Sequence, residues 1–466
     1  MGGSALDNLQ QAKEEISAAS DARTRLELLF DEGSFTEMDP FVVSPAGKAG
    51  VITGYGTVNG GLAYAFSQNV KDESGAMGRA QWAKIKKVYE LALKTGCPVV
   101  GIYDSMGARL AEAGEALAGY GELLKAAGNL SGVVPQIAVV AGVCAGAAAI
   151  AACSADLVIM SEGAELFLTP PFITKAKGDN TPGAGSAANA AKAGVAHLTA
   201  ADDKAAVEAA RNLLSMLPAN NLEPAVQFEF GEPAPAAFTA QDMPAVAAGI
   251  ADAGSLTELQ AQFGDGAYTA LAAVDGTTVG LAATKGAPLT ADDCAKLARF
   301  VALCDAFHIP VITLVNTPGF KQSSKGELAG SIREAAKLAH IYAEATTAKI
   351  SVITGEACGA AYVALAGRGS GADLVFAWPE AVLSALEPEA AVALMGGDSI
   401  TAENSREQAV AEYKATQASA LAAARTGMID NIIEPQATRA VLADALNMLA
   451  SKREHKLPKK HGNIPM

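Results

Sequence analysis

Two short runs of small residues, Gly146-Ala147-Ala148 and Gly359-Ala360-Ala361, stand where catalysis without a side-chain nucleophile would be placed. Each follows an apolar, strand-like segment and opens a helix-like one. At a helix start several backbone N–H groups have no partner within the helix, and the dipole adds partial positive charge there. A glycine at that point lets the backbone approach a ligand closely. Such a place can hold a developing oxyanion, and one pre-organised donor is worth roughly 3 kcal/mol in a transition state. A single run of this kind is most often only a helix packing on a sheet. Two at matching positions point to a reaction with two carbonyl partners.

Competing constellations are weak. None of the five histidines falls in a metal-binding pattern such as H-E-x-x-H, so no bound metal is expected. There is no Walker loop and no G-x-S-x-G elbow. Gly54-Tyr-Gly56 with the following Thr-Val-Asn-Gly60 reads as a hairpin rather than a dinucleotide fingerprint. The chemistry therefore rests on positioning and electrostatics.

The elements that carry the two runs repeat. Pro98-Val-Val-Gly-Ile-Tyr-Asp104 resembles Pro310-Val-Ile-Thr-Leu-Val-Asn316, at an offset of 212 in the numbering (98 to 310). Ile137-Ala-Val-Val-Ala141 matches Ile350-Ser-Val-Ile-Thr354, at an offset of 213 (137 to 350). Ala155-Asp-Leu-Val158 matches Ala372-Asp-Leu-Val375, at an offset of 217 (155 to 372). The apolar segments read as buried parallel strands. After the first pair come small turns, Ser105-Met106-Gly107 and Thr317-Pro318-Gly319. The expected fold class is α/β with mainly parallel pairing, as two copies of one unit. Gly231-Glu-Pro-Ala-Pro-Ala reads as the linker, giving domains 1–233 and 237–466.

Composition fits. The chain has 466 residues, too long for one ordinary core, with half of them hydrophobic and 18% charged. The 46 glycines and abundant alanines suit tightly packed α/β layers. A net charge of −15 with no basic stripe argues against a nucleic-acid partner. Six cysteines, none in a C-x-x-C pair, read as buried thiols of a reduced, cytosolic protein. Residues Met1 to Ala19 are polar and lack the apolar stretch of a signal peptide. The longest apolar run, Gln136 to Ala152, reads as a strand plus helix rather than a membrane span.

Beyond composition, a set of motifs resembles the acyl-CoA carboxyltransferase family of the crotonase superfamily. They are Arg23-Thr-Arg25 through Phe35, Ser105-Met-Gly107-Ala108-Arg109, Cys144-Ala-Gly146-Ala147 and Gly194-Val-Ala-His197. In the second half they continue as Asn316-Thr-Pro-Gly-Phe320, Ala343-Glu-Ala-Thr346, Gly359-Ala-Ala-Tyr362, Ala377-Trp-Pro379 and Lys460-His-Gly-Asn-Ile-Pro465. The similarity covers almost the whole chain. That family includes propionyl-CoA carboxylase beta subunits and the carboxyltransferase subunits of methylmalonyl-CoA and glutaconyl-CoA decarboxylases.

The resemblance implies two tandem crotonase-like (ClpP/crotonase) domains related by internal duplication. It implies carboxyl transfer between biotin and the α-carbon of a short acyl-CoA through an enolate. The thioester would lie against Gly146 and Ala147. Biotin would lie against Ala360 and Ala361, with Gly359 allowing the approach and Tyr362 and Val363 lining that side. Gly107, Ala108 and Arg109 are the candidate contacts for CoA; a strand-end salt bridge is an equal reading of Arg109. Val363 would stand beside the acyl chain or pack in the core. The chain departs from the family at Met106, Ala147 and Ala360, where the family has glycine, and at Asn316, where it has aspartate.

Neither a Met-Lys-Met biotinylation site nor an ATP-binding module is present. Biotin is therefore expected on a separate biotin carboxyl carrier protein, with a biotin carboxylase or membrane decarboxylase subunits as further partners. Inter-subunit active sites in a homo-oligomer are implied, in the cytoplasm or peripheral to a membrane decarboxylase complex. The rival readings are a sodium-pumping glutaconyl-CoA or methylmalonyl-CoA decarboxylase subunit, a hydratase or isomerase using Glu112 and Glu115, and an inactive scaffold. The i,i+3 spacing of those two acids reads more simply as a solvated helix face.

Overall fold

Two Gly-ended turns, Asn59-Gly60 and Asp275-Gly276, have positive φ at both residues (51° and 83°, 50° and 76°). That geometry matches the right-handed twist of a two-residue hairpin. Each turn joins two eight-residue antiparallel strands, β4 (Val51–Val58) with β5 (Gly61–Gln68) and β12 (Ala267–Val274) with β13 (Thr277–Thr284). Both turns are clamped alike. Asp31 accepts the N–H groups of Asn59 and Gly60 and pairs with Arg211, which also bonds the Leu29 carbonyl. Asp252 accepts those of Asp275 and Gly276 and pairs with Arg439, which also bonds the Ile250 carbonyl.

The structure, a computed structural model, describes all residues except 1–4, 45–46, 230, 237, 366, 396–404, 455 and 466. It forms two compact units, Met1–Glu223 and Pro224–Met466. The stretch ahead of Pro233 adds to the second unit: Gln227 bridges to Thr277 and the Phe228 N–H donates to Gly276 O at 2.7 Å. Ala237 lies outside the described residues.

In the first unit the sheet also contains β1 (Thr36–Met38), β6 (Val99–Ser105), β7 (Gln136–Ala145), β8 (Leu157–Ser161), β9 (Glu165–Phe167) and β10 (Leu198–Ala200). Its order is β1-β4-β5-β6-β7-β8-β10, with β9 on β7. A separate two-stranded ribbon joins β2 (Val43–Ser44) and β3 (Gly47–Lys48). From β5 to β10 the neighbours are parallel, including β9 on β7. The second unit repeats the order with β11 (Thr257–Glu258), β14 (Val311–Thr317), β15 (Lys349–Cys358), β16 (Leu374–Ala377) and β18 (Asn431–Ile432) around its hairpin, and β17 (Val382–Ser384) on β15.

Every residue of β6 is buried, as a central parallel strand covered on both faces requires. Phe66, Ile85, Tyr89, Tyr103 and Leu123 belong to the core cluster on one face. Buried lysines tie helices to the hairpins. Lys84 donates to Val51 O at 3.1 Å, and Lys296 donates to Ala267 O at 3.0 Å and Phe263 O at 2.9 Å. The two lysines are offset by 212 (84 to 296), in step with the repeat, and sit in corresponding helices, Arg79–Thr95 and Ala291–Ala306. Burial pulls the Lys296 ammonium down to about 8.

Candidate active site

The central strand pair forks. Tyr103 lies opposite Val140, but Ser105 lies opposite Cys144. One intervening residue on β6 thus faces three on β7, which is a bulge of two residues. Below it β7 pairs with β8 as far as Val140–Met160; above it β7 pairs with β9 from Val143 to Ala145. The β6 residue inside the fork is Asp104, 5% exposed. A Cβ on Gly142 would come within 2.1 Å of its Oδ1, so a larger residue there would displace the Asp104 carboxylate. Arg25 bonds Asp104 at 2.9 Å through Nη1 and Asp203 at 2.7 Å through Nε. Burial raises the Asp104 carboxyl above its usual range, opposed by Arg25 and by the Val143 N–H that faces it.

Past the fork, β7 ends at Gly146, where φ is +59° and ψ −123°. A side chain would be strained there. The Gly146 N–H donates to Phe167 O at 3.0 Å. Gly146 therefore contributes its backbone turn and not a free donor, while its place at the strand end keeps it beside Ala147. The helix Ala147–Cys153 begins next, and its first N–H groups have no carbonyl one turn back within the helix.

Beside it runs the turn after β6. Ser105 Oγ accepts the Gly107 N–H at 3.1 Å, and Met77 bonds Gly107 O and the Arg109 N–H at 2.8 and 2.9 Å. Gly107 has φ +108°, and a Cβ there would lie 3.9 Å from Ala145 O. Gly107, Ala108, Gly146 and Ala147 thus gather at the C-terminal ends of β6 and β7. Arg109 is different. It is 5% exposed and makes salt bridges to Glu73 at 3.0 Å and Glu112 at 3.2 Å, the salt-bridge alternative for this residue. Glu112 is half-buried and also receives the Arg79 N–H, so only Glu115 stands on a solvated face.

The second unit copies this geometry. Val315 faces Ile353 and Thr317 faces Ala357, the same two-residue bulge, with Asn316 inside. A Cβ on Gly355 would meet Asn316 Oδ1 at 2.3 Å. Here the wedge is neutral. Oδ1 accepts the Glu356 N–H at 3.0 Å and Nδ2 donates to Ala240 O at 2.7 Å. Thr317 Oγ1 accepts the Gly319 N–H at 3.2 Å, and Leu289 takes the place of Met77. Gly359 has φ +61° and opens the helix Gly359–Leu365. A Cβ on it would sit 3.4 Å from Ala385 O. Ala360 is exposed, Ala361 is buried, and Tyr362 donates its hydroxyl to Met428 O at 3.1 Å. Val363 is 58% exposed, which rules out the core-packing alternative for it.

The Carboxyl transferase domain family matches residues 19–464. The chain is 37% identical to the methylmalonyl-CoA decarboxylase subunit alpha of Veillonella parvula, covering 97% of this chain and 94% of that one. It is 36% identical to the propionyl-CoA carboxylase beta chain of Saccharopolyspora erythraea, with 98% and 92% covered. The chain belongs to the carboxyl transferase family. A solved transcarboxylase 12S, a hexamer with methylmalonyl-coenzyme A and methylmalonic acid bound, matches with a TM-score of 0.93 and 34% identity over 100% of both chains. The two eight-stranded units are tandem crotonase-like domains, as the motifs imply.

In this carboxyl transferase the two thiols at the ends of β7 and β15, Cys144 and Cys358, are held in the protonated form. Burial raises Cys144 far above the usual thiol range and pushes Cys358 up to about 12. Cys153 is exposed, contrary to the reading of all six as buried, because it ends the short helix after Gly146. His197 has a structural part: its Nδ1 accepts the Val158 N–H at 3.1 Å beside the β8–β10 pairing. What sequence reasoning missed is the wedge in each fork. The signal was present, since Gly142 and Gly355 are offset by 213 (142 to 355), in step with the strands that carry them. No helix among the described residues is long and apolar enough to cross a membrane.

Proposed function

We propose that this chain is the carboxyltransferase subunit of a biotin-dependent acyl-CoA carboxylase or decarboxylase. The observation that carries the reading is the duplicated strand–glycine–helix start, with φ near +60° at both Gly146 and Gly359. It occurs in a chain matched along its length by a methylmalonyl-CoA decarboxylase subunit and a propionyl-CoA carboxylase chain. Residues 1–233 are assigned to the acyl-CoA side and 237–466 to the biotin side.

On the acyl side, the N–H of Ala147 holds the thioester oxygen as negative charge develops on it during enolate formation. Gly146 turns the chain so that this donor faces outward, and Gly107 and Ala108 lie beside it. On the other side the cradle suits a small planar carbonyl. Gly359 leaves open the space a side chain would fill, and Ala360 at the helix start is exposed to receive a ligand. The N–H groups of Ala360 and Ala361 hold the ureido oxygen, with Tyr362 and Val363 flanking it. Carboxybiotin, delivered on a separate carrier chain, supplies the carboxyl group in one direction, and biotin accepts it in the other. Because the two places belong to different domains, the reading includes a homo-oligomer that completes each site between subunits. A biotin carboxylase or membrane decarboxylase subunits then complete the pathway of the carboxyl group, and the chain works in the cytoplasm or against a membrane complex.

Similar identity to a decarboxylase alpha subunit and to a carboxylase beta chain fits one reversible half-reaction serving both. The test uses the purified chain alone. With free biotin or a biotinylated carrier it should decarboxylate an α-carboxylated short acyl-CoA, and with ATP and bicarbonate it should carboxylate nothing. Decarboxylation that proceeds equally well with every source of biotin removed would overturn the assignment.

A further inference from the structure

The fork in each central strand pair raises a physical question. A bulge of two residues leaves backbone groups without ladder partners, and buried groups of that kind are costly unless something else satisfies them. In the second unit the answer is explicit. The Asn316 side chain enters the bulge from β14, and its Oδ1 accepts the N–H of Glu356, three residues before Gly359. The first unit places Asp104 in the same position, with its Oδ1 over Gly142 and with Val143, three residues before Gly146, in the same bulge. Both are locked in place by their own backbone. The Asp104 N–H donates to Gln68 Oε1 at 3.1 Å, and the Asn316 N–H donates to Thr284 Oγ1 at 2.7 Å, each from the neighbouring strand of the hairpin. Glycine opposite makes room for each wedge, because a Cβ at Gly142 or Gly355 would meet its oxygen at 2.1 or 2.3 Å and push it out of the bulge.

The bulge also has a direction. It peels β7 away from β8 and onto β9, and β15 away from β16 and onto β17. The peeled segment is the one that ends in the positive-φ glycine and the helix start. Fixing the bulge therefore fixes where the donors of Ala147 and of Ala360 point.

We infer that Asp104 and Asn316 are positioning residues of the two carbonyl-binding places, acting through the bulges at Gly142–Val143 and Gly355–Glu356. The inference rests on the carboxyltransferase reading. The two wedges differ in their support. Asp104 is held from outside the strand pair by Arg25, itself shared with Asp203, so the acyl side rests on a buried charge network. Asn316 is held by a neutral bond to Ala240 O, so the biotin side does not. The side chains differ in charge, yet the feature they share is an acceptor oxygen inside the bulge.

The experiment is steady-state decarboxylation of an α-carboxylated propionyl-CoA with free biotin as acceptor. It compares wild type with Asp104→Ala, Asp104→Asn, Asn316→Ala and Asn316→Asp. Turnover by wild type tests the underlying reading; with that in hand, the variants test the wedges. Both alanine variants should lose about a hundredfold in kcat, the order expected when one oriented donor is misplaced, with KM for both substrates within about threefold. Asp104→Asn and Asn316→Asp keep an acceptor oxygen in the bulge and should recover kcat to within about tenfold of wild type. Asn316→Ala strands no buried charge, so it serves if Asp104→Ala does not fold. Folded alanine variants with wild-type kcat would overturn the inference. So would swapped variants as impaired as the alanines, since the acceptor oxygen would then not be what matters.

Discussion

Ala147→Pro separates the backbone donor from everything else at the acyl-side place. Ala147 is the first residue of its helix, a position at which proline is favoured because the missing N–H has no partner within the helix. Proline also restricts the residue before it to non-helical backbone. Gly146, at φ +59° and ψ −123°, is already outside the helical region. The substitution therefore removes one N–H and little else, and stability should change by no more than about 1 kcal/mol. If that N–H holds the thioester oxygen in the transition state, its loss costs about 3 kcal/mol, or roughly a hundredfold to two-hundredfold in kcat. Ala147→Gly retains the donor and should stay within about tenfold of wild type. The assay is biotin-dependent decarboxylation of an α-carboxylated short acyl-CoA, with circular dichroism and sizing to establish fold and assembly. Ala360→Pro makes the same cut on the biotin side, at the exposed residue, whereas proline at the buried Ala361 would also disturb packing. Folded Ala147→Pro with near-wild-type turnover would refute the assignment of the donor.

Three further outcomes are expected. Lys296 is held at about 8 by burial, whereas an unfolded lysine titrates near 10.4, so above pH 8 the unfolded chain binds the extra proton and stability rises with pH. The gain reaches about 3 kcal/mol by pH 10.5; urea unfolding should show this rise in wild type and lack it in Lys296→Met. Asn316→Asp sets a carboxylate oxygen against Ala240 O in place of a donor and should cost about 1–3 kcal/mol at neutral pH. That deficit should shrink as the pH falls and the carboxyl regains a proton to donate; thermal melts from pH 5 to 8 that show a constant deficit would count against it. Finally, Val363 offers a distal carboxylate neither charge nor hydrogen bond, so α-carboxylated forms of short neutral acyl-CoAs should be favoured over glutaconyl-CoA in kcat/KM; a clear preference for glutaconyl-CoA would remove Val363 from the pocket.

The duplication was legible where burial constrains sequence on both faces. A central parallel strand must be apolar throughout, so Pro98–Asp104 and Pro310–Asn316 still look alike, and so do Ile137–Ala141 and Ile350–Thr354. The turn after each strand keeps its hydroxyl and glycine, Ser105 and Gly107 against Thr317 and Gly319, because both hold one hydrogen bond. The hairpin clamps were not legible as a repeat. Asp31 and Asp252 are offset by 221 (31 to 252), and Arg211 and Arg439 by 228 (211 to 439), so insertions had moved them out of step with the strands. Arg109 illustrates another limit. Its place in a motif marks it as special, but only the structure shows that Glu73 and Glu112 already surround it.

If the two side chains act as wedges, Asn316 can stand where the motif it resembles carries aspartate. A fold made by duplication inherits two bulges, and each needs an acceptor oxygen inside it and a glycine opposite. It does not need the same charge, because the rest of the side chain answers to whatever packs behind it. Behind Asp104 stands a guanidinium, so a carboxylate is matched; behind Asn316 stands a carbonyl, so an amide is matched. The departure from aspartate is thus a local electrostatic fit rather than a sign of decay. The alanines at 147 and 360 bear on the same question. The positive φ at Gly146 and Gly359 falls on the residue before each of them, so the strained position has kept its glycine.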